Sequence, residues 1–200
     1  PGKVFFCNSG AEAVEGAIKL AREYGFASKR TEVITMFPSF HGRTMGAMSA
    51  TGQTKYQKGV RPLLGGFKMV PLNDLALLKK AITKKTIAVM LEPVQGEGGV
   101  NIASHEYMRA LATICRERDI LFIADEVQTG FGRTGEWFGF RHTGVVPDIM
   151  TLAKSLGGGF PIGALVAGRK VQDVFKPGMH ASTFGGSPIA CAAALGVVRA

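Results

Sequence analysis

Short apolar runs alternate along this chain with segments of helical periodicity, and no other feature of the sequence limits its fold as strongly. Seven runs have the length and composition of buried strands: KVFFCN, EVITMF, FKMVPL, TIAVMLEP, LFIADE, DIMTLAK and IGALVAG. Between them lie helical stripes such as Val14, Ala17, Ile18 and Ala21, which recur at the spacing of one helix face. Near-continuous apolar strands joined by amphipathic helices are typical of a parallel sheet covered on both faces. The sequence therefore predicts an α/β fold, a mostly parallel central sheet with helices on both faces, as one domain over residues 1–200.

Composition and charge indicate which kinds of partner to expect. With 46% hydrophobic residues the chain can bury a core, yet no apolar run approaches the roughly 18 residues of a membrane span. The formal charge of +9 would suit a nucleic-acid partner, but the densest basic stretch, Leu78–Lys85 (LKKAITKK), has the pattern of a solvated face of a short helix. We therefore expect neither nucleic acid nor a membrane as a partner.

The cysteines and the ends of the chain carry two further expectations. Cys7, Cys115 and Cys191 lie far apart and form no C-x-x-C pair, which argues against a zinc site and against a disulfide framework. Sparse, unpaired cysteines fit a reducing compartment, so the cytoplasm is the expected location. The opening PGKVFFCNSG has no charged leader, no cleavage site and no initiator Met, which predicts an interior piece of a longer protein.

Three polar, glycine-containing motifs follow predicted strands. NSGAEA comes after the first strand, EPVQGEGG after the fourth and DEVQTG after the fifth. In sheets of this kind, ligands bind beyond the carboxyl ends of the strands. We therefore expect a functional site at that edge of the sheet.

Other catalytic classes lack essential parts. Asp125 and Glu126, at the end of LFIADE, resemble the magnesium-binding acids of an NTPase, but the phosphate-binding motif G-x-x-x-x-G-K-[ST] is absent. GFGRTG, at Gly130–Gly135, matches G-x-G-x-x-G, yet the residues after it have no helical stripe, as a dinucleotide site requires. The sequence also lacks H-E-x-x-H and G-x-S-x-G, which argues against a metalloprotease and a serine hydrolase.

Lys154 has an unusual setting for a lysine. It lies in the apolar, glycine-rich stretch TLAKSLGGGFPIG, with no acid within five residues. A lysine amine acts as a nucleophile where its surroundings favour the neutral form, and it usually forms a Schiff base with a carbonyl group. The common cofactor for this chemistry is pyridoxal phosphate. That cofactor needs the lysine, an acid on its ring nitrogen, an aromatic side chain against its ring and a cradle for its phosphate.

The sequence offers a candidate for each of these supports. Asp125 can pair with the ring nitrogen, Gln128 can hydrogen-bond the ring hydroxyl, and Phe40 in FPSFHGRT can stack on the ring. NSGAEA can bind the phosphate with the N–H groups at a helix N-terminus. Taken singly, each residue has a simpler explanation: Asp125 as a cap, Phe40 as a core residue and Ser9 as an ordinary N-cap. Their combination is what favours a pyridoxal phosphate site.

The motifs also resemble those of a known family. NSGAEA, SFHGRT, SATG, LEPVQGEGGV, ADEVQTGFGRTG, PDIMTLAKSLGGGFPIGA and STFGGSPIA are similar, in order and spacing, to the motifs of class III pyridoxal-phosphate aminotransferases. The resemblance covers essentially the whole chain. It implies the large, cofactor-binding domain of a fold-type I transferase, with the family's N-terminal segment and C-terminal small domain outside this chain.

The resemblance further implies an activity. An amino group would pass from an ω-amino donor to 2-oxoglutarate by a ping-pong mechanism through a Schiff base. The wording of the motifs favours N-acetylornithine as the donor, and with it a role in arginine biosynthesis. Ornithine and 4-aminobutyrate stay open as donors, and so does a non-catalytic, truncated domain that serves only for association.

Site residues follow from the resemblance position by position. The implied cofactor-binding residues are Ser9, Gly10, Ala11, Phe40, Asp125, Gln128, Lys154 and Thr183. Of these, Lys154 and Asp125 are the implied catalytic residues, the Schiff-base lysine and the acid on the ring nitrogen. The implied substrate-binding residues are Arg43, whose bidentate fork suits a carboxylate, Glu97, which helps the site accept two differently charged substrates, and Ser182.

Two positions concern the surroundings of the phosphate. Thr183 matches a threonine that reaches the phosphate of the neighbouring subunit, which implies a homodimer. Val14 departs from the family pattern, because these enzymes often carry Asn there. We expect this departure to affect packing beside the phosphate loop.

Overall fold

The computed structural model describes residues 2–200. Its strands are β1 (Gly2–Cys7), β2 (Glu32–Phe37), β3 (Phe67–Pro71), β4 (Thr86–Leu91), β5 (Val94–Gln95), β6 (Asn101–Ile102), β7 (Leu121–Asp125), β8 (Ile149–Leu152) and β9 (Gly163–Gly168). Its α-helices are α1 (Gly10–Tyr24), α2 (Met45–Ala50), α3 (Thr54–Gln57), α4 (Leu75–Ala81), α5 (His105–Glu117) and α6 (Pro188–Arg199). All seven predicted strands are confirmed, as β1 to β4 and β7 to β9. The pair β5 and β6 was not predicted, because strands of two residues each leave no alternation to detect.

The seven predicted strands form one sheet within residues 2–200, in the order β1-β9-β8-β7-β4-β2-β3. From β8 to β3 each neighbouring pair is parallel, whereas β9 is antiparallel to both β8 and β1. Two antiparallel steps restore the direction, so β1 points the same way as β8. The mostly parallel sheet is therefore confirmed, and the carboxyl ends of β1, β2, β4, β7 and β8 meet at one edge.

Alternate residues of the strands pack against helices on opposite faces of the sheet. Val33 of β2 shares one buried cluster with Val14 and Ile18 of α1. Its neighbour Ile34 belongs to a second cluster with Leu111 of α5. The prediction of helices on both faces is therefore confirmed. Val14 itself is fully buried, so the residue that departs from the family pattern is part of the core.

The basic stretch Leu78–Lys85 is helical only in its first half. Helix α4 ends at Ala81, and the following residues form a turn before β4. The carbonyl of Lys85 accepts the N–H groups of Thr31 and Glu32, which joins this turn to the start of β2 and prevents a longer helix. Of the helices in residues 2–200, none combines the length and the apolar character that crossing a bilayer requires.

Candidate active site

A cavity of about 520 Å³ opens at the carboxyl edge of the sheet. Its walls come from the loops after β1, β2, β4, β7 and β8 and from the segment before β9. The predicted site residues that line it are Ser9, Gly10, Ala11, Phe40, Arg43, Asp125, Gln128 and Lys154. Residues far apart in the sequence thus meet at the edge where parallel strands end, as expected.

The first turn of α1 forms one wall of the cavity. Ser9 is the N-cap, and its hydroxyl accepts the N–H of Glu12 at 3.2 Å. The N–H groups of Gly10 and Ala11 have no carbonyl to bond within the helix. A Cβ on Gly10 would lie 2.9 Å from the side chain of Val127, so glycine is needed for the helix to approach the β7 loop this closely. An anion is favoured at such a helix start.

Asp125, the last residue of β7, is fixed by three contacts. Its Oδ1 accepts the hydroxyl of Thr151 at 2.8 Å and the N–H of Val127 at 3.2 Å. Its Oδ2 lies 2.7 Å from Nδ1 of His41. The side chain is buried at the inner end of the cavity, so its orientation is determined before any ligand arrives.

Two buried titratable residues beside Asp125 were not selected from the sequence. Burial by itself would lower the pKa of His41, but the hydrogen bond to Asp125 and the charges of Asp125 and Glu92 outweigh it, and the pKa is raised. Burial raises the pKa of Glu92 to about 7, against the opposing charge of His41. Nε2 of His41 is buried and has no hydrogen-bond partner within the described chain. Both residues lie in quoted motifs after strands, and that position is the signal by which they were identifiable.

Lys154 follows β8 and begins a 3₁₀ turn, Lys154–Gly157. Its φ of +42° lies in the left-handed region, which residues other than glycine rarely adopt and which marks local strain. Its Nζ donates a hydrogen bond to Oε1 of Gln128. A Cβ on Gly96 would lie 2.9 Å from Cγ of Gln128, so the turn after β5 packs closely behind this amide. The lysine and the glutamine therefore face each other across the cavity.

Glu126 fastens the loop that carries Gln128. Its carboxylate accepts the N–H groups of Gly139 at 2.8 Å and Phe140 at 2.9 Å, and also the hydroxyl of Thr129. The side chain is buried, and burial raises the pKa of Glu126. Both ends of the loop are thus tied to one carboxyl group.

Phe40 and Arg43 form the wall on the β2 side. The ring of Phe40 meets that of Tyr56 edge to face, with centroids 5.5 Å apart. The guanidinium of Arg43 lies 4.0 Å from the Tyr56 ring centroid and 5.4 Å from that of Phe40. These aromatic contacts hold an exposed arginine at the cavity, where it can meet an anionic ligand.

Three predicted residues lie outside the lining of this cavity in the described part of the chain. Ser182 is adjacent to it, because its hydroxyl accepts the side-chain N–H of Asn8, a lining residue, at 3.2 Å. Thr183 is exposed and borders a neighbouring cavity, which also includes Asn8. Glu97 is exposed in the turn between β5 and β6.

The motif GFGRTG, at Gly130–Gly135, adopts turns and does not begin a helix. Among residues 2–200, no group of three or more His, Cys, Asp or Glu side chains is arranged to bind a metal ion.

Comparison with known proteins identifies relatives along the whole chain. The family described as Aminotransferase class-III matches residues 2–200. The acetylornithine aminotransferase of Caldanaerobacter subterraneus subsp. tengcongensis is 63% identical over 201 residues, which cover 99% of this chain and 51% of that protein. This chain thus spans about half the length of the curated relatives it matches.

Two solved structures have the same fold. The ornithine aminotransferase of Toxoplasma gondii superposes with a TM-score of 0.93 at 38% identity, covering 98% of this chain and 48% of that one. An amine transaminase from an uncultivated Pseudomonas species, solved in a pyridoxal-phosphate-bound form, superposes with a TM-score of 0.93 at 35% identity. The alignment covers 98% of this chain and 52% of that transaminase.

Proposed function

This chain belongs to the class-III aminotransferases, and from that premise we propose that residues 1–200 are the cofactor-binding large domain of a transaminase whose N-terminal segment and C-terminal small domain lie outside this chain. The proposed reaction moves an amino group from N-acetylornithine to 2-oxoglutarate in two half-reactions, as a step of arginine biosynthesis. The observation that carries the proposal is the meeting of Lys154, Asp125 and Gln128 in one cavity at the start of α1. The cofactor of this family is pyridoxal phosphate.

The residues present fit that cofactor in chemistry and in arrangement. The start of α1 offers the N–H groups of Gly10 and Ala11 to a phosphate, next to the hydroxyl of Ser9. Absence of a Cβ on Gly10 keeps this anion site close to the β7 loop. At the inner end, Asp125 offers a fixed carboxylate to a ring nitrogen.

In this proposal, the chain's own residues bind the cofactor and transfer protons. When bound, pyridoxal phosphate supplies an aldehyde carbon for amine exchange and a ring that withdraws electrons. Lys154 would bind the aldehyde through its Nζ, and the same Nζ, when free, would take and return the Cα proton. Asp125, fixed by Thr151 and His41, would keep a proton on the ring nitrogen, and the side-chain amide of Gln128 would bind the ring oxygen.

Of the proposed substrate residues, Arg43 lines the cavity, and Ser182 and Glu97 lie outside its lining. Arg43 can receive a substrate carboxylate through two parallel hydrogen bonds. Ser182 contacts the lining through Asn8, and Glu97 is exposed, so its carboxylate is accessible to a charged substrate. Thr183 is exposed, in keeping with a partner's cofactor as its target in a cytoplasmic homodimer.

The identity of the amino donor is inferred from the proteins that this chain is similar to. The relative at 63% identity carries the name acetylornithine aminotransferase, which favours N-acetylornithine. Similarity to an ornithine aminotransferase structure at 38% identity keeps ornithine as the second candidate. Because the chain spans half the length of its relatives, a non-catalytic role in association is the alternative from another class.

Reductive labelling tests the proposal directly. The protein is incubated with pyridoxal phosphate, reduced with borohydride and mapped by peptide mass spectrometry. We expect the label on the peptide that contains Lys154, its loss in Lys154→Ala and its retention in Lys170→Ala, the matched control at the other edge of the sheet. Label on surface lysines alone, or no label, would refute the cofactor site.

Steady-state rates then test the activity and the donor. We expect kcat/KM to be highest with N-acetylornithine, lower with ornithine and lowest with 4-aminobutyrate, each with 2-oxoglutarate as acceptor. Lys154→Ala should reduce kcat by more than about 10²–10⁴-fold, because it removes the proton-transferring group together with the nucleophile. Specific labelling of Lys154 without turnover of any of the three amines would favour the non-catalytic alternative.

A further inference from the structure

A buried acid connects two walls of the cavity. Glu92 follows β4, is only 4% exposed and lines the cavity. Its Oε2 accepts the main-chain N–H of Phe40 at 3.0 Å. The loop after β2, which carries Phe40, is thereby tied to the carboxyl end of β4.

The two residues on either side of Phe40 are bonded to a different segment of the chain. The hydroxyl of Ser39 accepts the N–H of Gly52 at 3.0 Å, and the N–H of His41 donates to the hydroxyl of Thr51 at 2.9 Å. Both contacts connect the loop to the segment after α2. Phe40 thus lies between two contacts to the segment after α2, and its own N–H bond to Glu92 is the contact that joins it to the carboxyl end of β4.

The surroundings make this contact sensitive to protonation. The charged groups that face Glu92 are His41 from the β2 loop, Asp125 at the end of β7 and Lys154 after β8. Burial raises the pKa of Glu92 to about 7, with His41 opposing the effect. An ionised carboxylate is a stronger acceptor of an N–H group than a protonated one. The hydrogen bond from the Phe40 N–H to Glu92 should therefore become stronger as the pH rises through neutrality.

We propose that Glu92 is a positioning residue for the cofactor, which holds the ring of Phe40 against the cofactor plane through the Phe40 main chain. The inference rests on the proposed function, since it takes pyridoxal phosphate as the ligand of the cavity. In this role Glu92 acts through the Phe40 N–H, to which it is bonded. Its role differs from that of Asp125, which faces the ring nitrogen.

Two variants and a matched control separate positioning from folding. Glu92→Ala removes the acceptor, whereas Glu92→Gln keeps an amide oxygen that accepts the same N–H but no longer titrates. The control is Glu126→Gln, a buried acid that holds the β7 loop and makes no hydrogen bond to Phe40. The measurements are the dissociation constant of pyridoxal phosphate, the visible circular dichroism of the bound cofactor and the Phe40 amide resonance of protein labelled with ¹⁵N-phenylalanine.

The expected results differ between the variants. Glu92→Ala should weaken cofactor binding by roughly tenfold, the size expected when a buried donor loses its partner, and should reduce the visible dichroism. In native protein freed of cofactor, the Phe40 amide proton should move downfield with a midpoint near pH 7. That titration should vanish in Glu92→Gln and persist in Glu126→Gln.

Native-like binding and dichroism in Glu92→Ala would overturn the inference, and so would a Phe40 titration that survives in Glu92→Gln. If Glu92→Ala does not fold, the amide titration in Glu92→Gln decides alone. Failure of the native protein to bind pyridoxal phosphate is a separate outcome, because it refutes the proposed function and with it the role assigned to Glu92. The two failures are distinguishable, since the first leaves native binding intact.

Discussion

The inner end of the cavity and its outer rim are built differently. The inner end, formed by Asp125, His41 and Thr151, is almost fully buried, and each of its side chains is held by another within hydrogen-bonding distance. The rim residues, Glu97, Ser182 and Thr183, lie outside the cavity lining and are exposed or half-buried. In the proposed function, the preorganised inner end holds the cofactor, whereas the exposed rim meets two successive substrates of different charge.

Asp125→Asn, at the inner end of the cavity, should have the largest effect on kcat. An asparagine keeps the size of the side chain but removes the charge that, in the proposed function, holds a proton on the ring nitrogen, and it leaves His41 without its anionic partner. We expect kcat to fall by about 10²–10⁴-fold, as when one group for proton transfer or electrostatic stabilisation is lost.

The matched control for that variant is Asp119→Asn. Asp119 pairs with Lys170 at 2.7 Å at the amino end of β7, on the opposite edge of the sheet. Single-turnover kinetics should show native rates for this control. An Asp125→Asn enzyme with more than half of the native kcat would mean that the inner end is not the catalytic part of the cavity.

Stability without cofactor should depend on pH through the inner end. The folded-state pKa of Glu92, about 7, lies above its ordinary value of 4.5, so the folded protein binds more protons than the unfolded chain between these values. The contribution of Glu92 to the free energy of unfolding should therefore be highest below pH 4.5 and decline as the pH rises toward 7, by up to roughly 3 kcal/mol at about 1.4 kcal/mol per pKa unit. Urea unfolding of the native protein and of Glu92→Gln at pH 5 and pH 8 measures this. Equal slopes in the two proteins would contradict the assignment to Glu92.

Gly10→Ala should affect cofactor binding more than stability. The new Cβ would lie 2.9 and 3.1 Å from the two methyl groups of Val127, so the start of α1 must move away from the β7 loop. We expect the dissociation constant of pyridoxal phosphate to rise by roughly tenfold, in line with the cost of overpacking, and Val127→Ala in the same chain to restore it. Gly196→Ala is the control, because a Cβ there meets only open space. An unrestored double variant would mean that the glycine serves another purpose.

The sequence predicted the fold well wherever a periodic pattern was long enough to be read. Each of β1 to β4 and β7 to β9 appears as an apolar run, and α1 as a clear stripe through Val14 and Ile18. The turn after Ala81 was missed, because it is set by a carbonyl of Lys85 that binds the start of β2, a contact between segments some 50 residues apart.

The site, too, could be predicted where the local sequence marks a residue and not where contacts between distant segments decide its role. Lys154 and Asp125 were identifiable because their residue types are unusual in their local settings. His41 and Glu92 are marked only by their position after strands, and their roles could not be predicted because these depend on meeting Asp125 and Phe40 in space, across separate strands. Local sequence shows which residues end strands; which of those side chains then bond to one another depends on the strand order.

The smallest expected effect belongs to the rim. Glu97→Gln changes an exposed side chain between β5 and β6, so the free energy of unfolding should stay within about 0.5 kcal/mol of native. Cofactor binding should also be unchanged, since Glu97 lies outside the cavity lining. The ratio of the KM values for the amino donor and 2-oxoglutarate should shift by a few-fold, because one rim charge is lost. Glu106→Gln, exposed at the start of α5, is the control and should leave that ratio unaltered. A Glu97→Gln protein that loses pyridoxal phosphate would show that the rim helps to hold the cofactor, and the division between a buried inner end that holds the cofactor and an exposed rim that meets substrates would then be wrong.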